Sequence, residues 1–232
     1  MNSERRILEK DLISKKTKYA FGTGEMFHVI ILSVAFSTIT FYYNVKLGLS
    51  EQLIGFAWLI FAFWNAINDP LFGLIQDRTK TRWGRRIPYI RFGAPIYGLL
   101  FILIWFPLVD VNNEILLFLN LIFILFAFDS IYTIIGLVMY SMPAEMVVTS
   151  NARANLMVYV SIFGSLGTLI AIIIPLFLLT GDNTSAAVNP IFLITMISLG
   201  IIGTVILVIM SFYLKENIYT QLEEPLGFFD GI

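Results

Sequence analysis

The sequence predicts an all-α membrane protein built from six transmembrane helices. Of its 232 residues, 58% are hydrophobic and only 13% charged, too little polar surface to close a soluble globule. The apolar residues fall into six runs, each near or above the ~20 residues that cross a hydrocarbon core of about 30 Å. Short polar or glycine-containing breaks separate these runs, which are too long for the strands of a membrane barrel. Cysteine is absent, which excludes disulfides, thiolate metal sites and cysteine nucleophiles, and the single histidine excludes a multi-histidine metal site.

Residues 1–18 carry Arg5, Arg6, Lys10, Lys15, Lys16 and Lys18 and read as a basic tail. The first run, Tyr19–Tyr43, exceeds the apolar stretch of a signal peptide and no A-x-A site follows it, so it is expected to remain as helix one. Helix two, Leu53–Ile75, follows the break at 47–50, and helix three spans Tyr89–Pro107. Helix four, Ile115–Met142, follows the polar break Asp110–Asn113; helix five spans Leu156–Leu179; helix six, Ile191–Leu214, follows Gly181–Ser185. Residues 19–215 thus form one bundle, and 216–232, containing Glu223-Glu224-Pro225, read as the start of a linker. Every basic residue except Lys46 falls on one side of these spans. The positive-inside bias therefore predicts a multi-pass membrane protein with both termini cytoplasmic, and the membrane is expected to be the plasma membrane.

Polar residues interrupt the spans at matching depths. Asn65 and Asp69 lie four apart and share a face of helix two. Asn65 is about 14 residues, or roughly 21 Å, from the outer end, and Asp129 lies about as deep in helix four. Asp129, Thr133 and Gly136 follow at i, i+4 and i+7, one stripe of that helix, and Glu25 and His28 lie toward the inner end of helix one. A carboxylate at membrane depth costs about 2.5–3.5 kcal/mol even on insertion scales, so such residues usually line an ion or solute path. Together these groups form a candidate site for H⁺ or Na⁺, with no other cofactor expected. The alternative, that they only bond one another and stiffen the bundle, stays open. Tyr42, Tyr43, Trp58, Trp64, Trp105 and Tyr140 could stack on a sugar ring, or serve packing and the interfacial belt, and Glu25, His28, Trp64 and Tyr132 are the candidate substrate-cavity residues.

The loop after helix two gathers Asp77, Arg78, Arg82, Arg85 and Arg86, and Glu145 and Arg153 flank the next inner loop. An ion network there could latch helices two to five. The same basic residues also suffice as a topology signal.

The stretch from Asn68 to Tyr89, N-D-P-L-F-G-L-I-Q-D-R-T-K-T-R-W-G-R-R-I-P-Y, resembles the helix-two signature of the glycoside–pentoside–hexuronide cation symporters, the melibiose-permease branch of the major facilitator superfamily. The general superfamily loop is matched by Gly73, Asp77, Arg78, Gly84, Arg85 and Arg86, and further matches are Tyr19-x-Phe21-Gly22, Gly48-Leu49-Ser50, Tyr132-Thr133, Ala144-Glu145-Met146 and Arg153. The resemblance implies that Asp69 and Thr133 serve the coupling cation and that the loop motif forms a cytoplasmic gate. The family's W-D-A-x-x-D pattern is altered, because Asn65 replaces the first acid. Gly136 and Ser161 stand where the family has an acid and an arginine. Since Asn65 removes a charge, H⁺ is expected over Na⁺, and Asn65→Asp is expected to shift the preference toward Na⁺.

The resemblance further implies a transporter in which solute binds between two six-helix bundles, of which this chain supplies the N-terminal one. The expected function is symport of a sugar or glycoside by alternating access. A second six-helix half, or a second copy, is expected to cover the cavity face, so that the chain alone is inert. The competing expectations are a non-transporting assembly or sensor subunit and a transporter of a non-sugar solute such as a lysolipid. No metal cluster, nucleophile–base pair or cofactor loop marks an enzyme, and no nucleic-acid partner is expected.

Overall fold

A computed structural model describes residues 13–147, 149–179 and 189–216. They form six long helices: α1 (Lys15–Phe41), α2 (Glu51–Arg78), α3 (Ile87–Ile104), α4 (Glu114–Met146), α5 (Ser150–Leu179) and α6 (Pro190–Tyr213). All six are long and apolar enough to cross a membrane, as expected where every backbone polar group must be satisfied within its own segment. The expected breaks at 47–50 and 110–113 are turns. Residues 1–12, the polar stretch 181–185 and the linker beyond Glu216 lie outside the described residues.

The helix ends follow local chemistry. The hydroxyl of Ser14 accepts from the Thr17 N–H at 3.1 Å, Asn113 Oδ1 accepts from Leu116 N–H at 3.2 Å, and Asn189 Oδ1 accepts from Ile191 N–H at 2.9 Å. Each cap satisfies a donor that the first helical turn leaves orphaned. At the far end of α1 a π-helical turn, Tyr42–Lys46, rotates two tyrosines inward. Tyr42 donates to the Trp105 carbonyl at 2.7 Å, and Asn120 donates to the Tyr43 hydroxyl at 2.8 Å. Helices α1, α3 and α4 are thereby fastened at the end remote from the basic loop.

Neighbouring helices follow the spatial order α2, α4, α3, α6, α1, α5, so α2 and α5 end the series. Close approach depends on small residues, as it does between membrane helices generally. A Cβ on Gly98 of α3 would collide with Thr204 and the Gly200 carbonyl of α6, and one on Gly167 of α5 would press on the Met26 backbone of α1. Half of the most apolar window of α1 is buried, against 11% for α2 and 11% for α5. These two terminal helices flank an open side of the bundle, and Asn65 and Asp69 of α2 are exposed there.

Candidate functional site

Within one turn α2 presents Asn65, Asn68 and Asp69, and α4 presents Asp129 and Thr133 opposite them. Asn65 Nδ2 donates to Asp129 Oδ1 at 3.4 Å, Asn68 Nδ2 donates to Asp129 Oδ2, and the Thr133 hydroxyl donates to Asp69 Oδ1 at 3.3 Å. Asp129 is 1% exposed and Asn68 wholly buried. The two amide donors offset part of the cost of a carboxylate at that depth. Asp69 and Asn65, by contrast, are exposed within this bundle. α2 has no helix on its far side, so Asp69 faces the open cavity. Of the pair Asp69 and Asp129, the carboxylate that the bundle itself encloses is Asp129.

The Asn68 amide spends its NH₂ on Asp129, and its Oδ1 is buried without a hydrogen-bond partner. An orphaned acceptor beside two carboxylates and a hydroxyl is unusual, since buried polar atoms are normally paired. An oxygen set of this kind, without thiolate or imidazole, suits a hard monovalent cation or a proton.

Alongside lies a cavity of about 390 Å³ lined by Glu25 and His28 of α1, Asp69 of α2, Tyr132, Thr133, Gly136 and Tyr140 of α4, and Met157 and Val160 of α5. His28 stacks on Tyr132 with ring centroids 5.3 Å apart and planes 9° from parallel, and lies 5.8 Å from the Tyr97 ring. It is 6% exposed and its Nδ1 has no partner. Gly136 keeps the wall beside it low, since a Cβ there would stand 3.6 Å from His28 Nε2. The structure therefore gathers Glu25, His28, Asp69, Tyr132 and Thr133 around one space. Trp64 is not among the cavity residues: it stacks on Phe126 of α4 at 5.2 Å, because its position on α2 points into the α2–α4 seam.

At the basic end Arg86 is the hub. Its Nη2 meets Asp77 Oδ1 at 2.9 Å, its Nε meets Glu145 Oε1 at 2.6 Å, and its Nη1 donates to Gln76 Oε1 at 3.4 Å. Gln76 Nε2 in turn donates to the Ile134 carbonyl at 2.7 Å. This forked guanidinium ties the ends of α2 and α4 to the start of α3. Among the described residues Arg78 and Arg153 take no part in an ion pair, so the expected network reaches α2, α3 and α4 but not α5. Gly73 faces open space, and Gly84, with φ +111°, lies against the carboxylate of Glu216.

Three residues of these networks escaped the sequence reading. Asn68 carried a usable signal, being three residues from Asn65 and so one turn along the same helix. Gln76 lies two turns beyond Asp69 on the same side. Glu216 carried none, since it is 131 residues from its hydrogen-bond partner Arg85.

The family described as MFS/sugar transport protein matches residues 20–231. A symporter of Synechocystis is 28% identical over 71% of this chain and 31% of its own length. The putative glycoside/cation symporter YagG of Escherichia coli is 26% identical over 92% of this chain and 45% of its own length. The isoprimeverose transporter of Lactiplantibacillus pentosus is 21% identical over 92% of this chain and 44% of its own. The chain thus spans between about a third and a half of the length of these relatives.

Proposed function

The chain belongs to the glycoside–pentoside–hexuronide cation symporters of the major facilitator superfamily, and from that premise we propose that it forms the N-terminal half of a site for cation-driven uptake of a sugar or glycoside by alternating access. The observation that carries this reading is the meeting of Asp129 and Asp69 with Asn65, Asn68 and Thr133 beside the cavity. Cation and solute would then bind side by side, and each would favour the other through the residues they share. The proposal takes the cavity's open side, between α2 and α5, to be closed by a second six-helix bundle or a second copy. It takes the basic end to be cytoplasmic and the membrane to be the plasma membrane.

Asn65 was the ground for preferring H⁺, because it removes a charge from α2. The Asp129 carboxylate lies against that amide, so the charge is returned from α4. With two carboxylates and the unpartnered Asn68 oxygen, Na⁺ becomes the favoured coupling ion. The reading is tested with Asp69→Asn in vesicles that hold the full transporter, this bundle together with the half that covers its cavity. Gradient-driven accumulation should be lost while solute exchange persists, and accumulation at the unsubstituted level would overturn it.

A further inference from the structure

The basic end holds a second device that the cation site does not use. Where the chain leaves α6, Glu216 turns back onto the start of α3. One carboxylate oxygen accepts from the Arg85 N–H at 2.7 Å, and the other accepts from the Arg86 N–H at 2.7 Å and the Ile87 N–H at 3.2 Å. These are donors that a helix leaves unpaired at its N-terminus, where its dipole also favours an anion. The seat depends on Gly84. Its φ of +111° is a conformation that other residues rarely adopt, and a Cβ there would fall within the Glu216 carboxylate. Thr81 closes the turn by donating its hydroxyl to the Gly84 carbonyl at 2.6 Å.

The residue so gripped by its backbone is Arg86, whose side chain holds Asp77, Gln76 and Glu145. From this juxtaposition we propose that Glu216 is a positioning residue. By seating on the N–H groups of residues 85–87 it fixes the backbone of Arg86, and so sets the guanidinium that links α2 to α4. The end of α6 thereby moves with the gate. If the gate belongs to alternating access the inference extends the function proposed above, but the contact itself stands apart from the cation site.

The chain contains no cysteine, so one introduced thiol reports without background. Met142 of α4 is wholly buried near Glu145, and Met142→Cys in membranes gives a maleimide labelling rate that reads opening of this end. Glu216→Ala should raise that rate at least about tenfold, the scale of one hydrogen bond to a charged group. Arg86→Ala should raise it comparably, and the double variant should exceed neither single one, because the two residues act in series. Gly84→Ala, which evicts the carboxylate without removing it, should reproduce the effect and serves where Glu216→Ala fails to reach the membrane. Wild-type labelling in both Glu216→Ala and Gly84→Ala, or effects that multiply with Arg86→Ala, would overturn the inference. Since no transport is measured, failure here leaves the cation-site reading untouched, and the reverse also holds.

Discussion

Asn65 and Asp129 touch across the α2–α4 seam, so exchanging their side chains keeps one carboxylate and one amide in the same place. Asp129→Asn alone should weaken cation binding at least tenfold, about 1.4 kcal/mol. The swap Asn65→Asp with Asp129→Asn should recover most of that loss, as titration with the cation would measure. Asn65→Asp alone sets a third carboxylate against Asp129 and Asp69. It should lower the thermal stability of the cation-free protein and make that stability depend more steeply on added cation. At this scale the matching depths of Asn65, Asp69, Asp129 and Thr133 were legible, because helix rise converts sequence distance into depth. Their partners were not. Which face of α4 meets α2 depends on packing, and that packing sets Asp129 on Asn65 and Asn68 while leaving Asp69 open to the cavity.

The six helices were legible to within a few residues, since apolar length and polar breaks are sequence properties. The observed ends reach further than the apolar runs, with α2 continuing through Arg78 and α4 through Met146, so that the Arg86 network is built on helix termini. The neighbour order α2, α4, α3, α6, α1, α5 was not legible, because glycines such as Gly98 and Gly200 read only as small residues until their partners are seen. Gly98→Val should wedge α3 from α6 and destabilise the bundle by about 1–3 kcal/mol, seen as a lower unfolding temperature in detergent. Glu145→Gln should loosen α4 from Arg86 and raise labelling of a cysteine at Met142, with no effect on cation affinity.

For the molecule as a whole, the open side between α2 and α5 decides the behaviour. Phe63 and Ile67 of α2 are 69% and 60% exposed, and Asp69 lies on the same helix beside the cavity. A carboxylate turned to lipid would cost several kcal/mol, whereas one facing a polar cavity between two bundles would not. The purified 232-residue chain should therefore self-associate in detergent, and light scattering that shows a monodisperse monomer would contradict this. The central claim, that Asp129 and Asp69 together hold the coupling ion, is tested most directly by calorimetric titration of Na⁺ at fixed pH into the wild type, Asp69→Asn, Asp129→Asn and the Asn65–Asp129 swap. The account predicts Na⁺ binding in the wild type and the swap, and its loss in both single variants. Undiminished Na⁺ binding by Asp129→Asn, or none by the wild type, would contradict it.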